Sequence, residues 1–157
     1  LYHIHLSIYS IRNEVQEYLT RTPGCLENTF KALENLQKIG GISVNINTVI
    51  NHYNAGYLLE NVKFIVKNFP LVNHFVWNLL DPTMNRVRRN KDVIPKLNEF
   101  ELSLHQAMEF LEKNGKTFRT EMIPLCYLPN YEWTLNETRK LVKKEARLTF
   151  FLDNRKF

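Results

Sequence analysis

Cysteine is scarce in this 157-residue chain: Cys25 and Cys126 stand far apart and form no metal-ligand pair. Reduced thiols, and a cytoplasmic setting, are the expectation. Glycine is sparse too, with five residues and no glycine-rich phosphate loop. HExxH, a nucleophile elbow and CxxC are all absent. No apolar run approaches the ~20 residues of a membrane span. The first ten residues, LYHIHLSIYS, carry no basic leader before an apolar stretch, so they do not read as a signal peptide. They lack Met and begin within a strand pattern, so a fragment of a longer protein is expected. There is no tandem repeat of fixed length and no low-complexity tract.

What is present is ordinary globular composition, 44% hydrophobic and 24% charged, in a chain long enough for one domain, 1–157, with a core. The net charge of +5 reads as a soluble protein with a Lys-rich surface; an anionic ligand or nucleic acid is the other reading.

Tyr2–Ser10 alternates with period two. Ile4, Leu6 and Ile8 share one face, and His3, His5 and Ser7 the other. Three segments repeat the pattern. In Ser43–Ile50, Val44, Ile46 and Thr48 oppose Asn45 and Asn47. In Val72–Leu79, Phe75, Trp77 and Leu79 oppose His74, Val76 and Asn78. In Phe118–Leu125, Phe118, Thr120 and Met122 oppose Arg119, Glu121 and Ile123. Parallel sheets are usually apolar on both faces, so a polar stripe on every strand points to a lined cavity.

Helical patterns separate the four segments. Ile11–Gly24 holds one short helical piece, with Val15, Tyr18 and Leu19 at i, i+3, i+4. Leu26–Ile39 is a helix with Phe30, Leu33, Leu36 and Ile39 as its stripe, ended by Gly40-Gly41. Leu58–Phe69 turns Leu58 or Leu59, Val62, Ile65, Val66 and Phe69 inward, and Pro70 stops it. Thr83–Asp92 is basic without an apolar period and reads as an exposed, mobile loop. Leu97–Asn114 buries Phe100, Leu104, Ala107, Met108 and Leu111. Tyr131–Leu148 is charged and helical in period. Right-handed crossovers then give an α/β fold, a parallel sheet of about four strands with helices on one face. That is an arc of a partial (β/α)6, TIM-like barrel, whose ligands sit at the C-terminal strand ends.

The chemistry-bearing signals are modest. His3 and His5 point the same way, but a metal needs further ligands, and buried, hydrogen-bonded histidines are the reading; no metal site is assigned. Glu121 with Arg119 is either an interior ion pair or a substrate contact. Cys126 has no base to make it a nucleophile and reads as a packed thiol. The NRVRRNK run is a solvated loop or a phosphate contact. Phe75 and Trp77 belong to the core rather than to a stacking platform. Ser7, Asn47 and Asn78 come last on their strands and form the rim; His5, Asn45 and Glu121 lie deeper, as floor or substrate contacts.

The strand-end residues together resemble a family. His5-Leu6-Ser7-Ile8-Tyr9-Ser10, then Tyr18-Leu19-Thr20-Arg21-Thr22-Pro23-Gly24, resembles the third barrel strand and following loop of radical S-adenosylmethionine enzymes. Asn47-Thr48-Val49-Ile50, with Asn54 beyond, resembles the fourth strand, Leu79-Leu80-Asp81-Pro82 the end of the fifth, and Ile123-Pro124-Leu125-Cys126-Tyr127 the sixth. The resemblance implies a partial (β/α)6 barrel that holds S-adenosylmethionine on a [4Fe-4S] cluster. Reductive cleavage gives a 5′-deoxyadenosyl radical, which abstracts a hydrogen from substrate. By that resemblance Ser7 and Asn47 match positions that bond the methionyl or ribose part, and Ile123–Cys126 matches the segment flanking the adenine. Ser7, Asn47, Asn78 and Leu125 are thus the cofactor candidates.

The chain also departs from the family. The cluster motif C-x3-C-x2-C and the first two strands are absent, so no cluster ligand and no catalytic residue is assigned here. Cys25 stands where a helix-capping Ser is usual, and Arg21 where Gly is frequent, in a loop whose basic residue often contacts the cofactor. The expectation is the third to sixth strands of such a barrel, inactive alone, from a parent enzyme whose relatives often modify peptides or proteins. Two alternatives stand: another (β/α)-barrel enzyme such as an aldolase or isomerase, which would need a Lys or carboxylate at a strand top, and a non-catalytic binding or scaffold module, anion-binding through the basic loop. Neither a membrane nor a nucleic-acid partner is expected; self-association through the exposed first strand is.

Overall fold

The computed structural model describes residues 2–136. Four strands alternate with helices: β1 (Tyr2–Ser7), α1 (Asn13–Thr20), α2 (Cys25–Ile39), β2 (Ile42–Ile50), α3 (Leu58–Asn68), β3 (Val72–Leu79), α4 (Asn85–Arg88), α5 (Leu97–Lys113) and β4 (Thr117–Glu121). All pairings are parallel, and the order across the sheet is β1-β2-β3-β4. Strand order therefore follows chain order without reversal. Beyond β4, Leu135 makes a parallel bridge to Thr120.

Two-fold alternation explains which face is covered. Val44, Ile46, Ile50, Phe75, Trp77 and Phe118 are buried in one cluster with Leu33 of α2, Leu58, Val62 and Ile65 of α3, and Phe100, Leu104, Met108 and Leu111 of α5. The opposite face carries exposed or half-buried polar residues at His3, His5, Ser7, Asn45, Asn47, His74 and Asn78. The helices thus pack on one apolar face, as the period of each strand dictates. Gly40 and Gly41, at φ 72° and 67°, make the left-handed turn from α2 into β2 that other residues adopt only with strain. One irregularity interrupts the ladder: Val44 pairs with Val72 but Asn45 pairs with His74, leaving Asn73 as a bulge. Among the described residues no helix is long and apolar enough to cross a membrane.

Several sequence expectations are corrected. β1 ends at Ser7 rather than Ser10. β4 stops at Glu121, because Met122 takes a positive φ of 61°. Alternation therefore breaks there: Met122 is exposed and Ile123 is buried, the reverse of the expected faces. The basic run is no open loop. Asn85–Arg88 is a turn of helix and Lys91–Val93 a 3-10 turn, with Val87 buried beneath them. Ile39 is 72% exposed and leaves the α2 stripe. Gly24, not Cys25, is the N-terminal cap of α2. Of the helix expected over Tyr131–Leu148, Glu132–Thr134 is a 3-10 turn and Leu135 joins β4; residues 137–148 lie outside the described residues.

In α1 the inward residue is not Val15 or Tyr18 but Gln16, 2% exposed. Its Oε1 accepts the N–H groups of Tyr9 (2.8 Å) and Ser10 (3.1 Å). The Tyr9 carbonyl accepts from Asn54 Nδ2 (3.0 Å) and Asn61 Nδ2 (3.4 Å). Asn54 Nδ2 also donates to the Val49 carbonyl, and its Oδ1 accepts the Asn51 N–H at 2.8 Å. Asn61 Oδ1 accepts the Ile11 N–H, and Thr48 Oγ1 donates to the Ile8 carbonyl. Buried side-chain amides thus satisfy the backbone where β1 leaves the sheet. Truncating Asn54, which is fully buried, strands donors and acceptors on two loops. Asn54→Ala is expected to lower unfolding free energy by about 3 kcal/mol. Leu102→Ser, at a 69% exposed position, should shift it by no more than about 0.5 kcal/mol. Urea melts of the two variants check both values.

Candidate functional site

The polar face of the sheet is built by register. His5, Asn45, His74 and Thr117 form one row across the four strands. Two residues further along, Ser7, Asn47, Val76 and Arg119 form the next. Asn78 and Glu121 pair in the row beyond, beside Val49. Ser7, Asn47 and Asn78 therefore share one face near the C-terminal strand ends. Only Ser7 is the last residue of its strand, since β2 runs on to Ile50 and β3 to Leu79. Glu121 is not deeper than the rim, as the sequence pattern placed it, but level with Asn78. His5 and Asn45 do lie one row below Ser7 and Asn47.

Side-chain bonds tie this face together. Asn78 Nδ2 donates to Asn47 Oδ1 at 2.5 Å. His74 Nδ1 and Thr117 Oγ1 lie 2.8 Å apart. Arg119 Nε lies 3.3 Å from Glu121 Oε1, an ion pair too poorly aligned to satisfy the buried Nε with a hydrogen bond. The same Glu121 oxygen accepts Asn136 Nδ2 at 2.9 Å. Asn136 was missed because the charged periodicity of Tyr131–Leu148 hides a segment that returns to the sheet. Val76, flanked by Asn47 and Arg119, is buried on this otherwise polar face.

Other expectations fare differently. His3 and His5 are exposed, not buried, because the face they occupy has no covering layer among the described residues. Cys126 is exposed on the 3-10 turn Leu125–Tyr127 and is not a packed thiol. Leu125 opens that turn, after β4, and is 47% exposed. No hydrogen bond ties it to Ser7, Asn47 or Asn78.

The loops at the same end carry their own electrostatics. Thr83 donates its hydroxyl and N–H to Asp81, which lies below the usual carboxylate range; Arg88 adds to that. His52, 3.1 Å away, holds the Glu99 carboxyl down, aided by the Lys96 N–H. The Tyr53 hydroxyl is pushed up, chiefly by its hydrogen bond to Tyr18 at 3.2 Å.

The arrangement offers amide and hydroxyl groups to a ligand, with one ion pair at the β4 side. The chain matches no family model and no curated protein. Its observed class is an α/β protein with a four-stranded parallel sheet. The Asn47–Asn78 bond lends itself to a double-mutant cycle. Asn47→Ala and Asn78→Ala, singly and together, are expected to show a coupling of about 0.5–1.5 kcal/mol in chemical denaturation. Additive losses would mean that the two amides stand side by side with no net gain.

Proposed function

We propose that this chain is the third-to-sixth-strand portion of a radical S-adenosylmethionine enzyme, an arc of a partial (β/α)6 barrel that binds the cofactor at its C-terminal strand ends. The observation that carries this reading is the single winding of the sheet. A doubly wound sheet reverses its strand order and takes helices on both faces. Here the order never reverses, the helices share one face, and the other face presents amides and a hydroxyl at one end. Barrels are wound in this way, with their ligands at the C-terminal strand ends.

The residues present fit part of the cofactor. Asn47 Oδ1 is occupied by Asn78, which orients the Asn47 amide and leaves its Nδ2 to donate to a carboxylate or ribose oxygen. The Ser7 hydroxyl lies exposed in the same row. After β4, Ile123 is buried and Leu125 is exposed, so Leu125 is the apolar side chain left to flank a base. They do not fit a [4Fe-4S] cluster: among the described residues no group of three His, Cys, Asp or Glu is placed for a metal ion. Cys25 sits 3.0 Å from the Thr20 hydroxyl, and Cys126 lies on the turn after β4. In this proposal the cluster belongs to other segments of a cytoplasmic parent enzyme acting on a peptide or protein. The chemistry supplied by the cofactor is hydrogen abstraction; this chain supplies binding and orientation.

The test uses the reconstituted parent protein. Ser7→Ala and Asn47→Ala should each weaken S-adenosylmethionine binding by about 1–2 kcal/mol, the value of a hydrogen bond to a polar or charged group. Isothermal titration measures this, and unchanged affinity in both variants would overturn the assignment.

A further inference from the structure

A second feature lies outside those residues. A groove of about 790 Å³ runs between the C-terminal end of α1 and the segment after β3, lined by Tyr18, Thr20, Arg21, Arg86, Arg89 and Asn90 among others. Both walls follow C-terminal strand ends. Loop contacts bring them together: the His52 N–H donates to the Val93 carbonyl at 2.9 Å, and the Tyr18 and Tyr53 hydroxyls meet at 3.2 Å. Its lining holds three arginines and no acidic residue.

Four cations outside the groove sit against carboxylates, in Arg12–Glu60, Lys31–Glu27, Lys113–Glu109 and Arg119–Glu121. The side chains of Arg21, Arg86 and Arg89 make no hydrogen bond and no ion pair among the described residues. Arg88, between the last two, does not line the groove. Burial of Val87 holds this turn against the protein, so Arg86 and Arg89 stand on a fixed element rather than on a free loop. Arg21 carries a second signal. Its φ of 54° is left-handed, a conformation that costs a non-glycine residue about 1–2 kcal/mol. Arg21 is the left-handed residue that ends α1, a place glycine commonly takes, and here that place puts a guanidinium on the groove wall.

We infer that this groove binds a small molecule bearing a pyrophosphoryl group. One carboxylate is matched by a single guanidinium fork, whereas three unpaired guanidinia match an anion of higher charge. The volume is that of a small-ligand site, on the order of 300–1,000 Å³. The pyrophosphoryl group can come as free diphosphate or on a nucleoside, so both are assayed.

Calorimetric titration of the chain with inorganic pyrophosphate, ADP, acetate and a short oligonucleotide tests the inference. Pyrophosphate, ADP or both should bind saturably and acetate should not; ADP alone would identify a nucleotide as the source. Arg86→Gln and Arg89→Gln are each expected to weaken binding about tenfold, and Arg88→Gln by less than about twofold. Arg21→Gly should also weaken binding about tenfold, while its melting temperature stays level or rises because glycine relieves the left-handed backbone. That pairing separates lost recognition from lost folding. Absence of saturable binding to both phosphates would overturn the inference. So would acetate binding as tightly as they do, an equal loss in Arg88→Gln, or tighter binding of a short oligonucleotide with all four arginines contributing alike.

Discussion

The peptide groups of Tyr9 are the point on which the architecture turns. The chain leaves β1 there, and neither its N–H nor its carbonyl has a sheet partner. The N–H is taken by Gln16 of α1, and the carbonyl by Asn54 from the loop after β2 and Asn61 from α3. One residue's backbone thereby joins four parts of the molecule. Backbone groups left unpaired away from water are costly, so these three amides fix where the parts meet. The amides are therefore structural, even though they lie near the strand ends where ligands bind.

That division shapes the reading of function. Asn51, Asn54 and Asn61 are buried and committed to backbone. Asn47 and Asn78 are half-exposed and committed mainly to each other. Only the second set has hydrogen-bonding capacity left for a ligand. The arginine groove is separate again: it depends on the loops that the amides hold, and no carboxylate is among its lining residues.

Much of the fold was legible because period-two alternation is a strong signal when one face is apolar and the other polar. All four strands followed from it, the parallel topology from the helical patterns between them, and the buried apolar residues of α3 and α5 from the helical period. Misses have specific causes. Met122 adopts a left-handed backbone, which inverts the pattern at the end of β4 and cannot be read from a non-glycine residue. α4 is too short to show a period, and its one anchor, Val87, sits among charges. The burial of Gln16 and Asn61 leaves no mark in the apolar period, because their partners are backbone groups distant in sequence. His3 and His5 were expected to be buried and hydrogen-bonded, but both are exposed. The positions of Ser7, Asn47 and Asn78 on one face were legible, but the bond between two of them was not.

The bulge at Asn73 has an evolutionary reading. Within the regular ladders, loss of one residue from a strand would exchange its inner and outer faces. At Asn73 it would not. Val72 already faces the core opposite Val44, and His74 already faces outward beside Asn45, so removing the residue between them restores regular alternation. What would be lost is local: Asn73's carbonyl accepts the Thr117 hydroxyl, and its side chain meets Lys116. The gene therefore has a place in β3 where a single codon can be gained or lost without turning the strand inside out.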